Sequence, residues 1–260
     1  MIEPDKSQGQ RSNITAFLAD QSVGREVVLY MLQEHPSHTR CVITTDENEI
    51  AEIARSYGCE THIIGEINER NVATIFEGVE VIFLAWWPRI IPGYIINAPK
   101  TGVVNFHPSL LPYNRGKNYN FWTIVENTPF GVTLHFADEG IDSGDIIFQS
   151  PIEKGWEDTG ETLYLKAQKE MVALFKARYL DIIEGNYARI PQDAECGQIH
   201  YFRELDPASR IHLDKTYNAA DLLNLLRART FTGKPSCYFY DNGRKYEVRI
   251  SIKEAADEPN

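Results

Sequence analysis

Val81-Ile82-Phe83-Leu84-Ala85 is an unbroken run of five apolar residues. Such a run predicts a strand in the middle of a parallel sheet, where helices cover both faces. On either side of it the sequence alternates between strand and helix patterns. The other predicted strands here are residues 13–19, 41–44, 61–64 and 102–105, and the helical patterns cover residues 23–32, 50–57 and 68–76. This alternation predicts an α/β fold with a Rossmann-like, mostly parallel sheet and flanking helices.

Several helices carry signals at their ends. Asp46 is predicted to cap the second helix, with Glu49 as its partner three residues later, and Gly58 is predicted to end that helix. A longer amphipathic helix is predicted to begin at Thr159 and to end at Gly185.

The pattern changes in the second half of the chain. Only eight residues separate the strand patterns at 132–136 and 145–151, too few for a helical crossover, so an antiparallel pair is predicted. Near the end, residues 219–229 predict a helix, and residues 236–240 and 244–252 flank Asp241-Asn242-Gly243, a strong hairpin signal. We therefore expect four parts: a flexible leader (1–12), a catalytic domain (13–200), a small C-terminal helix and β-hairpin subdomain (201–254) and a polar tail (255–260).

The composition excludes some classes of function. Of 260 residues, 26 are Lys or Arg and 37 are Asp or Glu, so the formal net charge is −11. Phosphate and anionic-lipid contacts need clustered basic side chains, which argues against nucleic-acid and membrane partners. No apolar run approaches the ~18–20 residues of a membrane span. The first twelve residues are polar and lack the apolar core of a secretory signal, so we expect a cytoplasmic protein.

Two common cofactor signals are absent from the sequence. The four cysteines (41, 59, 196 and 237) lack the spacing of zinc ligands, so no metal site is predicted. The first strand is not followed by G-x-G-x-x-G, which disfavours a dinucleotide site.

Polar residues concentrate where a predicted parallel strand ends. Asn105 and His107 are two positions apart, so their side chains face one side at the carboxyl edge of the sheet, where open α/β sheets bind ligands. Further on, Asp142 lies in a tight Gly- and Asp-rich turn. An amide, an imidazole and a carboxylate can together stabilise an oxyanion and move a proton. Separately, Asn105 is compatible with a turn cap, His107 with a buried structural histidine and Asp142 with a turn former, and spacing alone does not bring residue 142 to residue 105.

Three stretches in order carry a family resemblance: Asn105-Phe106-His107-Pro108-Ser109-Leu110-Leu111-Pro112, Gly131-Val132-Thr133-Leu134-His135-Phe136, and Asp142-Ser143-Gly144-Asp145-Ile146-Ile147-Phe148-Gln149. Together they resemble the formyltransferases that use N10-formyltetrahydrofolate. The resemblance is strongest over residues 75–155 and extends in overall pattern over 13–185. It implies that Asn105, His107 and Asp142 form the catalytic set, with Asp142 beside His107. His135, in the middle of its strand, reads as a packing or supporting residue.

Within that family, the chain most resembles enzymes that formylate nucleotide-linked, usually dTDP-linked, 3- or 4-amino-dideoxy sugars for O-antigens and surface glycans. This resemblance is carried by residues 112–122, residues 85–88 and the terminal hairpin. In those enzymes the hairpin often joins two subunits, so a homodimer is expected. A glycinamide ribonucleotide formyltransferase remains an alternative, as does a folate- or nucleotide-binding module without turnover. The charge of −11 disfavours a tRNA substrate.

The resemblance also implies binding residues. The candidates for contact with N10-formyltetrahydrofolate are Trp86, Ile90, Ile91, Pro92, Asp138 and Ile141, with core packing an equal alternative for Trp86. A diphosphate on an acidic protein requires a local cationic pocket, for which Arg115 and Lys117 are candidates, with solvated surface positions as the alternative. Tyr113, Asn118, Tyr119 and Asn120 are candidates for contact with sugar or base.

Overall fold

A computed structural model of the chain describes residues 13–193 and 197–255. The predicted leader, nearly all of the predicted tail and Cys196 lie outside these ranges. The strands are β1 (Thr15–Ala19), β2 (Thr39–Thr44), β3 (Glu60–Ile63), β4 (Val81–Ala85), β5 (Gly102–His107), β6 (Arg115–Gly116), β7 (Gly131–Phe136), β8 (Ile146–Pro151), β9 (Ile199–His200), β10 (Cys237–Asp241) and β11 (Arg244–Val248). The α-helices are α1 (Gln21–Glu34), α2 (Glu49–Ser56), α3 (Val72–Ile75), α4 (Gly93–Ile96), α5 (Tyr119–Val125), α6 (Gly160–Glu184), α7 (Leu205–Ala208) and α8 (Ala219–Ala228).

Seven strands form the central sheet in the order β3-β2-β1-β4-β5-β7-β8. Neighbours from β3 to β5 run parallel, whereas β7 runs antiparallel to both β5 and β8. Strand β4 lies between β1 and β5, and all five of its residues are buried. The predicted Rossmann-like, mostly parallel sheet and the predicted antiparallel pair are thus confirmed.

Alternate residues of the central strands belong to two apolar layers, one on each face of the sheet. On one face, the rings of Phe17 and Phe83 stack with centroids 5.3 Å apart, and Phe175 of α6 packs against Phe83 at 5.3 Å. On the other face, Leu18 and Ile82 pack with the fully buried Ile95 of α4. Both faces of β4 are therefore covered, which explains why that strand has no polar residue.

The long helix α6 has the ends that its sequence predicts. Thr159 caps its first turn through a hydrogen bond from the backbone N–H of Thr162, and Gly185 follows its last turn at a φ of 78°. Although α6 has 25 residues, it carries many charged side chains. No helix in the described part of the chain combines the length and apolar character that a membrane span requires.

Two predicted details of secondary structure are wrong. The cap of α2 is Asn48, whose Oδ1 accepts the backbone N–H groups of Ile50 and Ala51, so the helix starts two residues later than a cap at Asp46 would allow and Glu49 is its first residue. Asp and Asn are comparable caps, and the sequence did not distinguish them. Strand β11 also ends at Val248, before the predicted residue 252, because β10 offers only five residues to pair with.

The C-terminal part is a helix followed by a separate two-stranded sheet, as predicted. The turn between β10 and β11 has positive φ angles at Asn242 and Gly243, of 45° and 75°, as the Asn-Gly signal requires. Arg227 of α8 donates from Nη1 to the carbonyls of Gly155 and Asp158, just before α6 begins. These bonds hold α8 against the loop between β8 and α6.

Candidate active site

The carboxyl end of β5 carries two polar residues of the predicted catalytic set. Asn105 lies opposite Leu84 of β4 on one side and opposite His135 of β7 on the other. His107, two residues further on, is only 4% exposed. Residues i and i+2 of a strand share a face, as do directly paired residues on neighbouring strands. The side chains of Asn105, His107 and His135 therefore meet at one place on the edge of the sheet.

The turn between β7 and β8 brings Asp142 to the same place. Its Oδ1 accepts a hydrogen bond from Asn105 Nδ2 at 3.2 Å and lies 3.4 Å from His107 Nδ1. Its Oδ2 accepts the backbone N–H of Gly116 in β6 at 2.9 Å. Asn105, His107 and Asp142 are therefore side by side, as the resemblance implies, while their catalytic roles stay predictions.

His135 is a fourth member of this cluster. Its Nδ1–H donates to the carbonyl of Phe136 at 2.8 Å, which leaves Nε2 as an acceptor 3.1 Å from Asn105 Nδ2. Burial lowers the pKa of His135 to about 4, helped by the charge of His107, so this ring is neutral at pH 7. His135 therefore supports Asn105. It lies in this cluster because the antiparallel register of β5 and β7 pairs residue 135 with residue 105.

The amide of Asn105 has one orientation that satisfies its surroundings. Its two neighbours, His135 Nε2 and Asp142 Oδ1, are both acceptors, so the NH₂ group and not the carbonyl oxygen must face them. The cluster therefore holds Asn105 as a donor at the carboxyl edge of the sheet.

Asp142 and His107 form a polar pair inside the protein. Burial opposes the charged form of Asp142, but the nearby His107 charge, its hydrogen bond and the Gly116 N–H outweigh burial and hold the pKa of the Asp142 carboxyl well below its usual range. The other ring nitrogen of His107, Nε2, lies 3.4 Å from the carbonyl oxygen of Asn114. A proton on either nitrogen of His107 therefore has an acceptor nearby.

His107, His135 and Asp142 each offer a ligand atom, and these atoms lie within 4.8 Å of one another. This is compact enough for a metal ion. The same atoms, however, are already engaged with Asn105 and with each other. The cluster is thus complete as a hydrogen-bonded group, and a site without metal stays the prediction.

The candidate folate-binding residues occupy two different environments. Trp86 is 8% exposed, and its ring packs against the rings of Tyr119 and Tyr164, so its indole belongs to the core. Ile91 is also buried, whereas the remaining candidates are exposed on loops at the ends of strands: Ile90, Pro92, Asp138 and Ile141. Asp138 accepts hydrogen bonds from the Gly140 N–H and the Ser143 hydroxyl, so it also shapes the turn. Contact with folate stays a prediction for all six.

The candidate residues for contact with the sugar nucleotide are likewise divided between buried and exposed positions. Arg115 is 6% exposed in β6 and donates to the carbonyl of Gly197, so a solvated surface position for it is wrong. The Asn120 amide donates to the carbonyl of Gly160, which ties α5 to the start of α6. Tyr113 and Lys117 are exposed, and Asn118 precedes α5 at a φ of 61°. Of the two proposed cations, only Lys117 is on the surface.

The family model for formyl transferases matches residues 39–178, which is more than half of the chain and includes Asn105, His107 and Asp142. The chain belongs to the formyl transferase family. A second family model, the N-formyltransferase dimerization C-terminal domain, matches residues 204–254 of this formyltransferase. That match covers α7, α8 and the hairpin.

Curated relatives and solved structures extend the comparison. A methionyl-tRNA formyltransferase from Agathobacter rectalis is 28% identical over 233 residues, which are 86% of this chain and 72% of that protein. The human cytosolic 10-formyltetrahydrofolate dehydrogenase is 35% identical over 127 residues, which are 45% of this chain and only 13% of that protein. A sugar N-formyltransferase from Shewanella sp FDAARGOS_354 has a TM-score of 0.77 at 23% identity, covering 93% of this chain and 98% of that chain. An N-formyltransferase from Helicobacter canadensis, solved with folinic acid and dTDP-3-aminofucose, has a TM-score of 0.67 at 21% identity, covering 88% and 84%.

Proposed function

We propose that this formyltransferase moves the formyl group of N10-formyltetrahydrofolate to the amino group of a nucleotide-linked amino-dideoxy sugar. The observation that carries this proposal is the contact of Asp142 with both Asn105 and His107 at the carboxyl edge of the sheet, in a member of this family. Asn, His and Asp in contact supply a donor, a base and a carboxylate that orients the base.

In the proposed reaction the neutral amine attacks the formyl carbon, and His107 accepts the proton that the amine loses. His107 Nδ1 lies 3.4 Å from Asp142 Oδ1, which favours a proton on Nδ1. Nε2 is then the nitrogen that takes the proton of the amine, and the carbonyl of Asn114 accepts a hydrogen bond from it. Asn105 donates to the oxyanion that forms on the formyl oxygen, and to do so it turns one of its two amide hydrogens away from His135 Nε2 or Asp142 Oδ1. The bond between the formyl carbon and N10 then breaks, the folate nitrogen takes up the proton that His107 accepted, and the formyl group remains as an amide on the sugar.

Two observations support an amino sugar over tRNA as the acceptor. The fold matches a sugar N-formyltransferase with a TM-score of 0.77, whereas a methionyl-tRNA formyltransferase from Clostridium thermocellum, covered to a similar extent, gives 0.64. The net charge of −11 is also unsuited to a long polyanion. The Helicobacter canadensis complex supports a folate and a dTDP-linked amino sugar as the ligand classes.

We extend the proposal to assembly and setting. The match of residues 204–254 to a dimerization domain supports a homodimer through the C-terminal hairpin. Formylation of nucleotide sugars for O-antigen or surface glycan synthesis in the cytoplasm fits these substrates.

The test is mass spectrometry of a panel of nucleotide-linked 3- and 4-amino sugars after incubation with N10-formyltetrahydrofolate. We expect one member to gain one formyl group. The His107→Asn variant should lower kcat by about 10²–10⁴-fold, the usual effect of losing a general base, with its circular dichroism unchanged. Formylation of methionyl-tRNA but of no sugar, or near-native activity of His107→Asn, would contradict the proposal.

A further inference from the structure

The segment that follows α6, residues 186–193, crosses the turn that carries Asp142. Ile190 exchanges two backbone hydrogen bonds of 2.9 Å with Ile146, and Arg189 Nε lies 2.9 Å from Asp145 Oδ2. Nearest to the cluster, the side-chain amide of Gln192 donates to the carbonyl of Asp142 at 2.9 Å and to the carbonyl of Gly144 at 2.7 Å. Gln192 thus holds the backbone on both sides of Ser143.

The orientation of the Gln192 amide follows from its partners. Both atoms near Nε2 are carbonyl oxygens, which only accept, so the NH₂ group must face them. The other end of the amide, Oε1, is buried and has no hydrogen-bond partner among the described residues. Leaving a buried acceptor without a partner is unfavourable. Within the described residues, the two donated bonds are therefore the hydrogen bonds that hold this side chain.

These bonds join a turn whose backbone is unusual at two positions. Asp142 has a φ of 50°, in the left-handed region that L-residues seldom occupy. Gly144 is packed so closely that a Cβ there would lie 2.0 Å from the carbonyl oxygen of Phe136. A turn with the carbonyls of residues 142 and 144 directed at Gln192 presents the Asp142 carboxylate to His107 Nδ1 and Gly116.

We propose that Gln192 is a positioning residue, which fixes the backbone of the Asp142 turn so that the carboxylate meets the imidazole of His107. Its effect on turnover rests on the proposed function, whereas its effect on the contact between His107 and Asp142 does not. Among the described residues, the hydrogen bonds of the Gln192 side chain go to the backbone of the turn. Its side chain acts through Asp142.

The test compares Gln192→Met with Arg189→Gln. Methionine has similar length but no donor, so Gln192→Met removes both bonds to the turn. Arg189→Gln removes the ion pair of the same segment and leaves the bonds of residue 192 intact, which makes it the matched control. We expect Gln192→Met to lower kcat for formyl transfer by about 10²-fold with little change in KM, since small misplacements of reacting groups have effects of that size. Arg189→Gln should stay within about threefold of the native rate.

The second measurement is the ¹⁵N NMR signal of the His107 ring, identified by its loss in His107→Asn, which reports the hydrogen bond from Nδ1 to Asp142. We expect Gln192→Met to shift this signal and Arg189→Gln to leave it unchanged, with both variants folded by circular dichroism. An unmoved His107 signal and a native kcat in Gln192→Met, or equal effects of both variants, would overturn the positioning role. If the native protein formylates no amino sugar, the proposed function fails, and the His107 signal still decides the role of Gln192.

Discussion

His135 determines the direction in which Asn105 presents its amide. The Nδ1–H of His135 is committed to the carbonyl of Phe136, so the ring meets Asn105 as an acceptor. A doubly protonated His135 would have a donor facing the donors of Asn105. The polar cluster therefore needs a neutral ring at this position, which its burial supplies.

This neutral ring predicts a pH dependence of stability. The pKa of His135 is lowered to about 4 in the folded chain, against an ordinary value of 6.5. As the pH falls from 7 to 5, the unfolded chain gains a proton that the folded chain does not bind, so the free energy of unfolding falls by about 2 kcal/mol from this group alone. His135→Gln keeps an acceptor for Asn105 but does not titrate. Urea unfolding at pH 7 and pH 5 should show that the free energy of unfolding falls less in the variant than in the native protein, by about that amount. Equal decreases in the two proteins would contradict a lowered pKa of His135.

At the scale of secondary structure, the two-residue strand β6 connects the site to a distant part of the chain. Gly116 of β6 pairs with His200 of β9, and its N–H binds Asp142 Oδ2. Gly116 has a φ of 86°, and a Cβ there would lie 2.2 Å from the carbonyl oxygen of His200. Glycine is thus required by both conformation and space.

Gly116→Ala should therefore separate β6 from β9 and withdraw a hydrogen bond from Asp142. We expect a loss of about 2–4 kcal/mol in the free energy of unfolding, together with most of the activity. The matched control is Gly58→Ala, which has a φ of 73° but nothing within 4 Å of the added Cβ. Gly58→Ala should lower the free energy of unfolding by only about 1 kcal/mol and leave turnover intact. Denaturant titration and the formylation assay measure both, and similar losses in the two variants would count against a steric role for His200.

These elements show how far the sequence could predict the structure. Strand β4, helix α6 and the Asn-Gly hairpin were predictable because each has a strong local period or end signal. Strands β6 and β9 were not, because two residues carry no periodicity and their pairing joins positions 115–116 to 199–200. For the same reason the burial of Arg115 in β6 was missed. In the site, Asn105 and His107 follow from the strand pattern, whereas Asp142 needed the family resemblance, since a long-range contact has no local signature.

For the molecule taken as a unit, the hairpin matters because it presents exposed aromatic side chains. Phe239 and Tyr246 are cross-strand partners whose rings stack at 5.3 Å, and Tyr246 is 42% exposed. A two-stranded sheet is marginal by itself, so an exposed aromatic pair on it favours contact with another surface. In the proposed homodimer that surface is the hairpin of a second copy.

Tyr246→Asp places a charge on this aromatic pair and should convert a dimer to a monomer. Tyr57→Asp is the matched control, because Tyr57 is 49% exposed but lies just after α2, outside the hairpin. Light scattering coupled to size-exclusion chromatography should give half the native mass for the first variant and the native mass for the second. A monomeric native protein, or a dimer that survives Tyr246→Asp, would rule out this interface.

The pairing of β6 with β9 also has a consequence for biosynthesis. A ribosome makes Asn105, His107 and Asp142 well before it reaches Gln192 and His200, the residues that hold the Asp142 turn and pair with Gly116. The amino-terminal strands can associate on the nascent chain as soon as they emerge. We therefore expect the enzyme to become competent only after residue 200 has been made, so that chains released before that point do not consume activated one-carbon units.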